Sequence, residues 1–165
     1  MANRFFLFVV LSLATPLAMA HPHAWIDMQT RFLVNEQQQL IGLDLIWHFD
    51  DMYSATIIED MKQKKEPLAK QYQAFAKDSI EYMAAENWLT HLEMNGQVLP
   101  VSKPTNYRTE KIDYHLALHF VLPLKEPVPI KGNTFSLSIY DATYYVEMLH
   151  LDILLAVNDE DSYCG

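Results

Sequence analysis

The sequence predicts an α+β domain in which an antiparallel, sandwich-like β-sheet carries a two-helix insertion after its first hairpin. Three observations predict it. Residues 24–34 and 40–49 alternate apolar and polar side chains around a short polar turn at 35–39. Helical periodicity then runs from about residue 52 to 87. Strand-like alternation returns after that and continues toward the end of the chain.

The first 20 residues stand apart from this pattern. Arg4 gives a short basic start, residues 5–14 form an apolar run, and Ala18-Met19-Ala20 is a small-x-small ending. These are the three parts of a secretory signal peptide. The run is about half of the ~20 residues that cross a bilayer, so it reads as a cleaved leader rather than a buried N-terminal helix. Cleavage after Ala20 predicts a periplasmic protein with one domain over residues 21–165, its N-terminus at His21. No later stretch is apolar for long enough to span a membrane, so no transmembrane segment is expected in the mature chain.

The elements follow in order. Residues 24–34 put Ala24, Ile26 and Met28 on one face and Trp25 and Asp27 on the other, the face that His21 and His23 would share in an extended chain. Residues 40–49 put Leu43, Leu45, Trp47 and Phe49 on one face, with Asp44, Ile46, His48 and Asp50 opposite. Asp50-Asp51 opens a helix over 52–64, where acidic residues suit the positive end of the helix dipole. A second helix, 67–87, carries Leu68, Tyr72, Phe75, Ile80 and Met83 at helical spacing. Residues 89–94 and 97–101 flank Asn95-Gly96, a strong hairpin signal. Residues 112–122 alternate as one strand, and 135–140, 144–149 and 152–157 complete the sheet.

Composition narrows the function. The net charge is −9, and the leader contributes only Arg4, so the remainder is one unit more negative. That opposes binding to nucleic acid, whose phosphates need Lys and Arg. Four glycines and no Gly-rich loop exclude a phosphate cradle. Neither a G-x-S-x-G elbow nor an H-E-x-x-H motif is present, and an enzyme is not expected. Cys164 is the single cysteine of this sequence, so no disulfide within residues 1–165 is expected.

Seven histidines remain to be explained. Cross-strand neighbours in a hairpin point to the same side. With the apolar faces aligned, His21 and His23 therefore gather with His48 and Asp50 at one end of the first hairpin. Two registers satisfy this. One sets His23 against His48 and His21 against Asp50, but opposes Asp27 to Asp44, a like-charge clash. The other sets His23 against Asp50, Trp25 against His48 and Asp27 against Ile46, and is preferred. Two or three imidazoles plus a carboxylate match a tetrahedral divalent site: zinc first, with nickel and copper as the other ions imidazole suits. The His21 α-amine freed by cleavage is a further donor. Pro22 has no backbone N–H, which breaks the square-planar chelate built on backbone amides. The competing reading is a polar N-terminus with solvated imidazoles. His115 and His119 share a polar strand face with Asp113, as a second site or a solvated surface. Asp141 ends its strand and reads either as a turn residue or as a carboxylate reaching the site.

Three stretches together carry a family resemblance: His21-Pro22-His23-Ala24-Trp25-Ile26-Asp27, Trp47-His48-Phe49-Asp50-Asp51-Met52-Tyr53-Ser54, and Tyr140-Asp141-Ala142-Thr143-Tyr144-Tyr145-Val146. The chain resembles a family of periplasmic proteins, bearing a domain of unknown function, described as periplasmic components of nickel, cobalt or zinc transport systems. It is similar to the periplasmic member of a bacterial zinc-acquisition pair. The resemblance implies metal handling and a partner, an integral-membrane permease of the nickel/cobalt transporter type. It carries over His21, His23, Asp50 and Asp141 as metal-site residues, whereas His48 rests on the hairpin argument alone. The expectation is a periplasmic protein that hands a transition-metal ion to that permease. Two rivals stay open: a copper protein with an N-terminal histidine brace, and a non-metal accessory domain of a membrane complex.

Overall fold

The computed structural model describes residues 24–143 and 145–157. Strands β1 (Ala24–Val34) and β2 (Gln39–Phe49) form the first hairpin, followed by helices α1 (Asp51–Gln63) and α2 (Leu68–Tyr82) and a 3₁₀ segment, Met83–Leu89. Strands β3 (Thr90–Met94), β4 (Gln97–Val98), β5 (Thr105–Ile112), β6 (His115–Pro129), β7 (Phe135–Ile139) and β8 (Val146–Val157) complete the order. They make a five-stranded sheet, β5-β6-β2-β1-β8, and a three-stranded sheet, β4-β3-β7.

The alternation in β1 and β2 dictates which face is buried. Ile26, Met28, Leu43, Leu45, Trp47 and Phe49 all turn inward, and Leu116, Leu118, Phe120 and Leu122 of β6 extend the same layer. Trp47 meets Phe120 edge-on at 5.0 Å between ring centres. Ala76, Ile80 and Met83 from the helical insertion and Leu92 and Ile139 from the small sheet join this one cluster. Each large apolar side chain buried in it contributes about 1.5–3 kcal/mol. Gly42 lies where β6 crosses β2 closely: a Cβ there would sit 2.8 Å from the Leu122 carbonyl oxygen.

The structure corrects several expectations. The large sheet is mixed, not purely antiparallel, because β1 and β8 run parallel. β7 pairs with β3 in the small sheet, so residues 140–145 cross to the far edge of the large sheet, and β8 is not hairpin-linked to its neighbour. The register of the first hairpin keeps the expected parity but slides by two residues from the preferred pairing, so that Asp27 faces His48 and Ile26 faces Phe49. Period-two alternation fixes only which face points inward; the turn fixes the register itself. Here Asn35 closes the turn with its backbone and side chain, its Oδ1 accepting from Gln39 N–H at 2.9 Å, and the pairing shifts at Leu33/Val34.

Residues 112–122 are not one strand. β5 ends at Ile112, Asp113 turns the chain with φ 52°, and His115 pairs back with Ile112. β5 itself escapes the alternation rule, since Thr105–Ile112 is a largely exposed, polar edge strand, and charge on an edge guards against unwanted pairing. The second helix stops at Tyr82, short of residue 87. The two expected final strands are one, β8, with a register shift at Met28/Gln29 of its partner. Among the described residues no helix is long and apolar enough to cross a membrane.

Candidate functional site

Where β2 passes into α1, Asp50 does two structural jobs. Its Oδ1 accepts the backbone N–H groups of Met52 and Tyr53 at 2.8 and 2.9 Å, capping α1. Its Oδ2 accepts the Trp25 backbone N–H at 2.9 Å, while the Asp50 N–H donates to the Trp25 carbonyl at 3.0 Å. The residue therefore fastens the start of β1 to the start of α1. A carboxylate offers about four lone-pair positions, and these three donors leave one open on Oδ2.

Buried Ser54 makes the next connection. Its hydroxyl donates to the Phe49 carbonyl at 3.2 Å and accepts from Leu116 N–H at 2.9 Å. The first turn of α1 is thereby locked to the start of β6, and His115 Nε2 lies 2.6 Å from Asp51 Oδ1.

These links frame an open cavity of about 340 Å³ lined by Trp25, Asp27, Gln29, His48, Phe49, Asp50, His115 and Leu151. It opens on the outer, polar face of the large sheet, at the end where β1 begins. Trp25 on its rim donates its indole N–H to Glu147 of β8 at 3.1 Å. Of the sequence-predicted residues, His48 and Asp50 line this cavity together. His21 and His23 lie outside the described residues. Among the described residues, no three of His, Cys, Asp and Glu stand close enough together to hold a metal ion.

Asp141 is elsewhere. Its Oδ1 accepts from the Thr143 N–H at 2.9 Å, and its Oδ2 accepts from the N–H groups of Tyr145 and Val146, both at 3.0 Å; the Thr143 hydroxyl reaches both oxygens. Burial pushes this carboxyl up, but the Thr143 hydroxyl and the three N–H groups outweigh it and hold the pKa below its usual value. The carboxylate organises the crossing into β8, and it is not among the cavity residues. The two aspartates nonetheless flank the same point. Ala24, the first residue of β1, pairs with Val146 on the side where Asp141 acts, and Asp50 grips Trp25 on the other. Burial, then the charges of Tyr145 and Asp50, raise the pKa of Tyr53.

Further along the outer face, His119 Nε2 meets Glu110 Oε1 at 2.6 Å and its Nδ1 meets Arg108 Nη2 at 3.2 Å. A guanidinium only donates, so Nδ1 accepts and the imidazole is neutral. Burial, then Arg108, lowers the His119 pKa, with Glu110 and Asp44 opposing and His48 adding to the fall. Burial alone lowers that of His150, which packs beside Met28 on the inner face. Both bind protons less readily than an unfolded histidine at about 6.5. The unfolded chain therefore carries more protons below that pH, and stability conferred above it is lost as the pH falls through the folded values. The melting temperature in chelator is expected to fall between about pH 7.5 and 5.5, with a shallower slope in His119→Gln. An unchanged slope in that variant would count against the argument.

Sequence reasoning missed His115 as a neighbour of His48 and Asp50. Reading 112–122 as one strand hid the turn at Asp113 that starts β6 beside α1. Asp113 was the available signal, because Asp tolerates the left-handed conformation a tight turn needs.

Residues 6–164 match a family model described as "Protein of unknown function (DUF1007)". The chain belongs to this family. An uncharacterized protein of Haemophilus influenzae (strain ATCC 51907 / DSM 11121 / KW20 / Rd) is 35% identical to it over 134 residues, a match that covers 80% of this chain and 64% of that relative. The chain thus spans just under two thirds of the relative's length, and the family match takes in β1 through β8 and every cavity residue.

Proposed function

We propose that this member of the family is a periplasmic metal-binding protein that captures a transition-metal ion, zinc first and nickel or cobalt next, and hands it to an integral-membrane permease. One observation carries the reading: the cavity at the start of β1 gathers Asp27, His48, Asp50 and His115, and His23 is one peptide bond from the first residue of that strand. The described residues alone fall short of a closed site. Half of the ligands would come from His21 and His23, the other half from the cavity residues.

The donor chemistry fits the cargo. Imidazole nitrogens and carboxylate oxygens suit zinc in a tetrahedral set, and Asp50 keeps a lone pair free for it. The open cavity suits release by ligand exchange, since a partner's donor groups can enter before the protein's own leave. Residues 1–20 act in this reading as the leader that brings the chain to the periplasm. The sandwich-like stacking of the two sheets belongs to the same proposal; it is supported by Leu92 and Ile139 sharing one cluster with the large sheet.

The deciding experiment is metal analysis of protein purified from the periplasm with its native N-terminus at His21. One zinc per chain is expected, removable by chelator and restored on titration. Protein that carries no metal and takes up none of the candidate ions would end this reading in favour of a docking domain.

A further inference from the structure

We infer that the outer edge of β8 pairs antiparallel with β8 of a second copy of this chain, joining two large sheets into one; this goes beyond the metal-binding reading and does not depend on it. The two edges of the sheet are built differently. β5 closes one edge with polar and charged residues, Arg108, Glu110 and Lys111 among them. β8 closes the other with a 12-residue strand whose only ionised side chains are those of Glu147 and Asp152. Among the described residues no strand lies beyond it, and Leu149, Leu151, Ile153 and Leu154 are each more than half exposed. A long apolar edge without guarding charges is a template for another strand.

The exposed side chains lie on both faces, and this decides the kind of occupant. Leu149 and Leu154 pair with Asp27 and Arg31 of β1 and stand on the outer face, whereas Ile153 pairs with buried Thr30 on the inner one. A flat surface would cover one face only. An added strand covers both, because its own side chains alternate between them.

β8 is itself such a strand, and its pattern is complementary to its own. Leu151 is an extra residue between His150, which pairs with Met28, and Asp152, which pairs with Gln29. The outward positions therefore change from odd to even numbers at that bulge. A copy turned antiparallel matches face to face when Leu149 meets Leu154 and His150 meets Ile153. Asp152 then meets Leu151, and neither acidic residue of the strand faces another acid, which would be destabilising. Each leucine pair also lies between Arg31 of one copy and Asp27 of the other, charges of opposite sign. The contact is isologous, about a two-fold axis perpendicular to the sheet. Both outer faces then lie on one side of the joined sheet, and both cavities open there.

The test is sedimentation equilibrium of the full chain in chelator, so that no metal bridges the copies. A monomer–dimer equilibrium in the micromolar range is expected, since one strand pair is a small interface. Leu149→Lys and Leu154→Glu, each at an exposed position, are expected to melt like the wild type. Each should weaken the dimer at least about tenfold, because an apolar pair is lost and the edge gains a guarding charge. Mixed in equal amounts, the two variants are expected to recover dimer, because the new lysine of one faces the new glutamate of the other. In the unmodified protein, amide hydrogen exchange along β8 is expected to slow on dimerisation. A protein that stays monomeric overturns the inference and leaves the edge to residues 158–165 or to a strand of another protein. A dimer untouched by both substitutions, a mixture that recovers nothing, or β8 amides that exchange equally in monomer and dimer also overturns it.

Discussion

Replacing His21 and His23 together with alanine is expected to weaken zinc binding by more than about 10³-fold. Structural zinc sites are worth about 10–16 kcal/mol, or roughly 2.5–4 kcal/mol for each of four ligands. Losing two costs at least ~5 kcal/mol, and each 1.4 kcal/mol is tenfold. Stability without metal should be unchanged, since the start of β1 is already gripped by Asp50 and paired with β8. Calorimetric titration of the double variant checks both parts. Wild-type affinity in that protein would remove the N-terminus from the site. One extra residue before His21 separates the copper-brace alternative: blocking the α-amine destroys a brace but only weakens a site built on side chains.

The second large effect concerns Asp50, where architecture and binding meet in one carboxylate. Asp50→Ala strips the cap of α1 and the clamp on Trp25 N–H. A lost cap costs about 0.5–2 kcal/mol and a lost hydrogen bond to a charged group somewhat more than a neutral one. A total of about 2 kcal/mol is expected, or a melting temperature lower by roughly 4–8 °C. Asp50→Asn separates the two roles. Asn caps a helix about as well as Asp, but its NH2 group cannot accept the Trp25 N–H, so only the clamp is lost and stability should fall by about 1 kcal/mol. Zinc affinity should nevertheless fall about 10–100-fold as the anionic donor is lost. An Asn variant with undiminished affinity would confine Asp50 to architecture. Thermal melts and zinc titrations on the same two proteins give the answer.

The legible parts of this molecule are those where burial acts on one face only. Met28, Leu45 and Trp47 had to point one way, so Asp27, His48 and Asp50 had to share the other face; that Asp27 stands beside His48 in one cavity depends on the register as well. The hairpin register was not legible, because every second register satisfies the same pattern and the Asn35 turn selects among them. β5 was hidden by its own charges. The parallel course of β8 depends on β7 joining the small sheet, a pairing between Leu137 and Leu92 that no local pattern encodes. Among the site residues, His115 was obscured by an apolar alternation that runs through a turn. Asp141 was ambiguous because a turn-forming Asp and a ligand Asp look alike until the donors around the carboxylate are known.

The pairing of β1 with β8 has a kinetic consequence. Trp25 and Glu147 are 122 positions apart in the sequence, so the second-to-edge strand of the large sheet gains its outer neighbour only after nearly all of the described chain has been synthesised. Contacts of such long separation make folding slow. If the leader proposed above exports the chain unfolded, slowness is an asset: the sheet would not close early, and the polypeptide would stay threadable during its passage.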